Sequence, residues 1–500
     1  MSTGNFSWNV LLAPVLVGSC IAAIITIYFR NNPLAHTRKF MMRRFVNWFP
    51  LGMTYAFLYM GRYNLNVAKG ALGTLMSNED FGWIFFWGTT TYAFSFLVNG
   101  PLVDRLGGKR GILIAAGGAA LANCLLGVLT YLVLIGQLKM RLVVPLSVLY
   151  SLNMYFQSYG AMSIIKVKAY WFHVRERGVF GAVFGTLISI GVYFAFDWGQ
   201  SIVVAAKAAP VAEPGLLRTL VQKIFATADG KVDAVWAVFF IPAAILVFWL
   251  VLDWWLLRDT PEEAGFPAFD THDASSGKMH IHLSTMDLLR KVFTSPLMLM
   301  LAAVEFTSGV LRNGIMQWYL IYAKGVKLPG SEVFTEHWGL FLCIFGIIGG
   351  FGGGMMSDHL FHSRRGPPAA LLCAFMFVMT IVMACFINTS ALMVGSSAVL
   401  ISMAVIGVHS LMSGTAAADF GGRKATATCS GIVDGFVYLG SGLQSVCVGH
   451  LTTEGWLSWP LFMMPFALLG GAIAVMFWHE LPEATKRYNA EHKKSAPARR

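Results

Sequence analysis

An all-α membrane protein of two similar six-helix bundles, preceded by one extra helix, is predicted by three observations. The composition is too apolar for water, about thirteen apolar runs reach membrane-spanning length, and polar marks of the first half return in the second near a constant spacing. The chain has 500 residues, 56% hydrophobic and only 12% charged, which cannot clothe several soluble domains in polar surface. The net charge of +12 is spread over short connections, without the interleaved basic and aromatic face that nucleic acid requires. Seven cysteines, Cys20, Cys124, Cys343, Cys373, Cys385, Cys429 and Cys447, lie in or beside apolar runs with no CxxC spacing. They read as small core residues, not as disulfides or metal ligands.

The runs centre near residues 19, 60, 92, 123, 156, 188, 245, 310, 348, 378, 405, 438 and 468. The first, Val10 to Phe29, follows a start without positive charge, so it reads as a retained helix and not a signal peptide. Basic segments fall on alternate connections: Arg30 to Arg44, Asp104 to Arg110, His173 to Arg177, Arg258 to Lys291, His362 to Arg365, Gly421 to Lys424 and Lys486 to Arg500. The intervening turns, such as Ser77 to Asp80 and Thr452 to Gly455, are acidic or neutral. Basic connections stay in the cytoplasm, so the N-terminus is expected outside and the tail inside.

Three pairs of features recur at offsets of 250, 254 and 247 residues. Arg62 answers to Arg312. Gly100-x3-Asp104 with the basic run Arg105 to Arg110 answers to Gly354-x3-Asp358 with Arg364 and Arg365, and Glu176-Arg177-Gly178 answers to Arg423-Lys424-Ala425. Such a parallel duplication is the organisation of a major facilitator fold. Expected boundaries are an extra helix with its basic connection (1–45), one bundle (46–258), a cytoplasmic linker (259–294), a second bundle (295–480) and a basic tail (481–500). In the repeated loops, glycine lets helices approach, Asp104 and Asp358 cap or pair, and Arg105 and Arg365 anchor at headgroups. Their role is structural, or gating at most.

Ionisable groups inside the membrane are costly and persist where they are paired, hydrated or used. Arg62 and Arg312 each lie roughly 24 Å along their helices at ~1.5 Å per residue, near mid-depth. Two guanidinium forks facing each other across the pseudo-twofold axis match the oxygens of a phosphate monoester. The alternative is pairing with a buried acid such as Glu305, which leaves the duplication unexplained. Tyr59, Tyr63, Trp318 and Tyr319 flank the arginines, as pocket lining or as ordinary packing. Lys166 and Lys168 either snorkel or reach substrate, and Lys69 either snorkels or draws in anions. His409 is a candidate substrate contact, with a hydrogen-bonded helix histidine as the other reading. Asp434, Glu305 and Asp197 are read as counter-ions or proton carriers. His272, His280 and His282 lack partners at ligand spacing, so no metal is expected. No Gly-x4-Gly-Lys-Ser/Thr loop is present, so no nucleotide, cofactor or enzymatic activity is expected, and ion or solute gradients must supply the drive.

Several stretches then resemble the organophosphate:phosphate antiporter family of the major facilitator superfamily. They are YMGRYN at Tyr59 to Asn64, RDTPEEAGFP at Arg258 to Pro267, LRNGIMQW at Leu311 to Trp318, Ser357 to Gly366, and Ala418 to Gly442. The resemblance crosses both halves and leaves out the first helix. It implies a carrier in a bacterial cytoplasmic membrane that exchanges a sugar phosphate or glycerol phosphate for inorganic phosphate. Arg62 and Arg312 stand at the positions of the family's two phosphate-coordinating arginines. Some members have a lysine where this chain has Tyr63, and a histidine within the stretch Gly185 to Ser189. The chain is expected to work as a monomer. A proton-coupled symporter of another organic anion and a membrane sensor of external sugar phosphate are the rival readings.

Overall fold

A computed structural model describes residues 8–173, 176–211, 214–267, 290, 293–362, 364–420 and 422–480. The linker histidines His272, His280 and His282, the basic tail and the turn residue Gly421 lie outside the described residues, and nothing is described of the side chains at Arg177, Arg423 and Lys424.

Long helices carry the architecture. α1 is Trp8–Arg30, α2 Arg38–Leu72, α3 Asn78–Leu106, α4 Gly108–Leu134 and α5 Val143–Trp171. α6, Arg177–Tyr193, continues through a π turn at Phe194–Trp198 into α7, Gly199–Ala205. The short α8, Leu216–Phe225, precedes α9, Ala237–Leu256. The second half holds α10 Pro296–Val326, α11 Trp338–Met355 with a π turn at Met356–Leu360, α12 Gly366–Phe386, α13 Ala391–Phe420, α14 Gly422–Leu451 and α15 Ser458–Met476. Each predicted run centre falls inside one of these helices.

Apolarity and position go together. Nine helical segments among the described residues are long and apolar enough to cross a membrane. Six of them, on α1, α4, α9, α11, α12 and α15, keep half or less of their spanning windows buried, and α9 turns residues such as Val247, Phe248 and Trp255 outward. α2, α3, α5 and α10 are diluted by Asn, Gln, Tyr and charged residues and fall outside those nine. α2 and α10 are interior: α2 is buried from Leu51 to Ala68 and α10 from Thr307 to Leu320, each without a break. Polar side chains can be carried there because neighbouring helices, not lipid, satisfy them.

α2 packs on α9, α6, α5 and α4, whereas α10 packs on α14, α13 and α15. The two halves meet where α3 lies along α14 and where α6 lies against α11. Glycine permits the first contact, since a Cβ on Gly82 would sit 2.5 Å from the Ser445 carbonyl oxygen. Among the described residues, the cross-half hydrogen bonds lie at the level of Arg62 or beyond it toward Ser77 and Thr452. Asn66 Nδ2 donates to the Gln317 carbonyl at 2.7 Å and Gln200 Nε2 to the Thr335 carbonyl at 3.0 Å. Asp197, on the π turn, accepts from the backbone N–H of Gly339 at 2.6 Å and of Leu340 at 3.1 Å. These N–H groups open α11 and have no partner within their own helix, so an aspartate of one half caps a helix of the other.

The extra helix is fastened at its opposite end. Tyr28 donates to the Met41 carbonyl at 2.8 Å and accepts from Arg44 Nε at 3.0 Å. Arg44 closes a fork on Glu176, with both bonds at 2.9 Å. Both charges are buried, and the Arg44 guanidinium also lies 4.5 Å from the Phe172 ring centre. The Gly107 backbone adopts φ +90°, which favours glycine, and Asp259 accepts from the adjacent Lys109 N–H at 2.7 Å. The stretch after α9 is thereby tied to the loop between α3 and α4.

Two outcomes follow from these contacts. Burial raises the proton affinity of Glu176, but hydrogen bonds from His36 and Arg44 outweigh it and hold the carboxyl at about 2. A depressed folded-state value stabilises above the ordinary carboxylate range, and the contribution is lost as pH falls from about 4.5 to about 2. Glu176→Gln should therefore lower the melting temperature at pH 7, by the equivalent of roughly 3 kcal/mol, with the deficit shrinking in melts run at progressively lower pH. Asp197→Ala removes both cross-half acceptors, worth ~1 kcal/mol each. A cysteine placed at Gln317 in a background lacking other cysteines should then react with a maleimide at least about tenfold faster; an unchanged rate means the cap does not hold the halves together.

Candidate functional site

Arg62 sits at the middle of the molecule, 2% exposed, with every guanidinium nitrogen engaged by a neutral group. Nε donates to Gln157 Oε1, Nη1 to the Tyr438 hydroxyl and Nη2 to the Tyr92 hydroxyl, each at 3.0 Å. The guanidinium carbon lies 4.6 Å from the Tyr59 ring centre and 4.7 Å from that of Tyr92. Aromatic faces and neutral oxygens stabilise the cation without cancelling its charge. Tyr438 belongs to α14, so Arg62 already bonds to the opposite half.

A ladder of amides and a phenol aims the arginine. Gln157 Nε2 donates to Asn153 Oδ1 at 3.1 Å, and Asn153 Nδ2 donates to the Gly61 carbonyl at 2.8 Å. Tyr150 donates to the carbonyl of Arg62 itself at 2.9 Å. Asn123 joins the ladder, its Nδ2 donating to Asn153 Oδ1 at 3.2 Å and its Oδ1 accepting from Asn64 Nδ2. Buried amides that satisfy one another hold a side chain in one geometry, and leaving any of them unmet is expensive.

Arg312 is 7% exposed and less engaged: its Nε is buried and has no hydrogen-bond partner. Its ionisable surroundings are Tyr59, Tyr438, Tyr63 and Arg62, which brings the two guanidinium groups within electrostatic reach of each other. The residues after each arginine touch, since the Tyr63 hydroxyl donates to Asn313 Oδ1 at 3.3 Å. Asn313 is anchored in turn on Ser441. Among the described residues, neither arginine has a carboxylate at ion-pair distance. Glu305, the acid weighed as a partner for Arg312, instead accepts from His409 Nδ1, with contacts of 3.1 and 3.0 Å to its two oxygens.

Other candidates divide. Tyr59 and Tyr63 stand at the arginines. Trp318 is fully buried and packs edge-on against Phe81 of the other half, 5.3 Å between ring centres, so it belongs to the closed end above the site. Tyr319 stacks on Trp338 at 4.1 Å. Lys166, included as a substrate contact, does not snorkel: its Nζ binds Asp104 at 3.0 Å, at the loop between α3 and α4. Lys69 donates to the Met76 carbonyl at 2.9 Å. In the second loop Arg365 lies 3.8 Å from Asp358, while Arg105 is exposed.

Sequence reasoning passed over Gln157, Tyr92, Tyr438 and Asn313 because it weighed ionisable groups. The usable signal was the presence of Asn, Gln and Tyr inside otherwise apolar helices, Gln157 on α5 and Asn313 on α10 above all, since a buried amide must have partners.

Comparison with known proteins agrees with this architecture. The Major Facilitator Superfamily pattern matches residues 51–445. The chain is 24% identical over 475 residues to the membrane sensor protein UhpC of Salmonella typhimurium, covering 89% of this chain and 94% of that one. It is 24% identical over 341 residues to the glycerol-3-phosphate transporter of Bacillus subtilis, covering 66% and 69%. The fold is similar to that of a bacterial homologue of the human lysosomal transporter Spinster, with TM-score 0.65 and 14% identity over 88% of this chain and 98% of that one. A duplicated, all-helical bundle with this match across most of its length places the chain in the major facilitator superfamily, to which it belongs.

Proposed function

We propose that the protein exchanges a small phosphate monoester, of the sugar phosphate or glycerol phosphate class, for inorganic phosphate by alternating access. The observation that carries this reading is the pair of buried guanidinium groups, one from each half, with no carboxylate beside either among the described residues. An uncompensated buried cation is costly, and two within reach of each other are more so. A dianion bound between them removes that cost, and guanidinium forks suit its oxygens. An empty site resists the rearrangement that carries it across, because the two charges must pass through a closed, low-dielectric state. Exchange, not one-way flow, follows.

The named functions of the relatives support the substrate class. Besides the glycerol-3-phosphate transporter, a probable hexose phosphate transport protein of Chlamydia trachomatis matches over 92% of this chain at 22% identity. The alternation of basic and neutral connections supports placing Ser77 and Thr452 outside and the Arg44–Glu176 cluster in the cytoplasm of a bacterial inner membrane. With that orientation the Asp197 cap closes the outer side. Tyr59, Tyr63 and Tyr438 would line the phosphate, and Trp318 would seal the site from above. The Asp104–Lys166 pair then acts as a gating contact at the inner end, in place of a substrate contact by Lys166.

A second reading has a specific observation behind it, because the sensor UhpC matches over nearly its whole length. A sensor would bind the ester and not turn over.

In vesicles loaded with labelled phosphate, external phosphate esters should release label, and the ester giving fastest release names the substrate. Binding without release selects the sensor. Arg62→Lys and Arg312→Lys keep the charge and lose the fork, so each should cut exchange by roughly 100-fold with normal membrane insertion. Exchange preserved in both variants contradicts the two-arginine site.

A further inference from the structure

Below Arg312 on the same helix is a second charged group whose partner is not an arginine. Glu305 lies seven residues before Arg312, two turns away on the same face of α10, and is 0% exposed. His409, on α13, covers it, with Nδ1 3.0 Å from one carboxylate oxygen and 3.1 Å from the other. The histidine side chain is 28% exposed, so the pair has a sealed acid and an accessible ring. Among the described residues, the other charged groups facing the pair are Arg312 of α10 and Asp434 of α14. Asp434 stands one turn before Tyr438, the hydroxyl that holds Arg62.

The arrangement sets both tautomer and charge. With Glu305 ionised, Nδ1 carries the hydrogen that faces it, which leaves Nε2 as the basic nitrogen of a neutral ring. While the site is empty, the unmatched positive charge of Arg312 opposes a second positive charge on the ring. A phosphate dianion on the arginines would cancel that opposition and leave the Glu305 carboxylate to favour a charged ring. Nε2, the nitrogen turned away from Glu305, is where the proton then binds, on a side chain that is 28% exposed.

We infer that His409, seated on Glu305, is a proton-binding site that fills when an anion occupies the two arginines, so that the carrier takes up a proton together with its phosphorylated solute. This rests on the phosphate reading above. The step is a proton transfer from water to Nε2 on binding and its return on release, with no other bond made or broken. By reciprocity, the proton tightens the anion, and affinity falls as pH rises through the titration of the ring.

The test uses the purified full chain and inorganic phosphate, titrated by calorimetry in two buffers of different ionisation heat near neutral pH. His409→Asn keeps an amide N–H for Glu305 and cannot take the proton; phosphate's own titration is common to both proteins. The wild type should take up more protons per phosphate, by an amount on the order of one. Equal uptake in two proteins that both bind phosphate overturns the inference. If the asparagine variant does not fold, Glu305→Gln serves: it removes the charge that favours the imidazolium, so the pH at which phosphate affinity falls should move lower, and an unmoved midpoint overturns the inference. A wild type that binds no phosphate at all defeats the substrate reading itself, and with it this inference.

Discussion

Two guanidinium groups kept charged in the middle of a helical membrane bundle, with no carboxylate beside them among the described residues, are the constraint from which the rest of the site follows. Neutral oxygens and ring faces are what Arg62 receives from the protein. That choice matters: a carboxylate at this place would cancel the charge of the guanidinium, and on the proposed reading would occupy the place of the substrate anion. The arginine is therefore oriented by groups that hold it without neutralising it. The polar content of α2 and α5 exists largely for this, since Gln157, Asn153 and Tyr150 each bond within one turn of Arg62 or to its backbone.

Polar interiors need close packing, because a loose amide ladder would fill with water and lose its geometry. Glycine supplies the closeness. A Cβ on Gly61 would meet the Asn123 amide at 2.6 Å, inside the ladder itself, and one on Gly309 would strike the Val437 carbonyl at 1.9 Å, beside Tyr438. The same device acts between the halves at Gly82, where on the proposed alternating-access reading the contact also parts and re-forms. Among the described residues several cross-half bonds run to backbone groups, such as Asn66 to the Gln317 carbonyl and two N–H groups of α11 to Asp197, and others join side chains, such as Tyr63 to Asn313. Bonds of about 1 kcal/mol net can be exchanged for water at small cost, which suits an interface that opens.

Much of this was legible in the chain. The apolar runs located every long helix, because spanning a bilayer demands a length and a composition that little else mimics. The duplication located both arginines, since two charges at matched depth are hard to explain singly. What escaped were contacts that depend on which face of a helix turns to which neighbour. Lys166 reads as a snorkelling or substrate-facing lysine until α3 is seen to bring Asp104 beside it. Glu305 reads as a partner for Arg312 by helical spacing alone; α13 brings a histidine closer. Asp197 is unremarkable until the π turn aims it at a helix start in the other half. Periodicity reports depth and face, but not the neighbour.

The duplication also hides an asymmetry that bears on how the halves work together. Arg62 is held by groups of its own half at Gln157 and Tyr92 and across the interface by Tyr438, while Arg312 keeps an unpartnered Nε. The first half is thus preorganised and the second adaptable. A ligand arriving at a preorganised donor loses little on ordering it, and gains most from completing the donor that is unmet. On the phosphate-exchange reading proposed above, binding does more to reorder α10 than α2. The buried Glu305 lies on α10 two turns from Arg312, and His409 of α13 is seated on it, so on that reading the half that adapts is also the half that carries this pair.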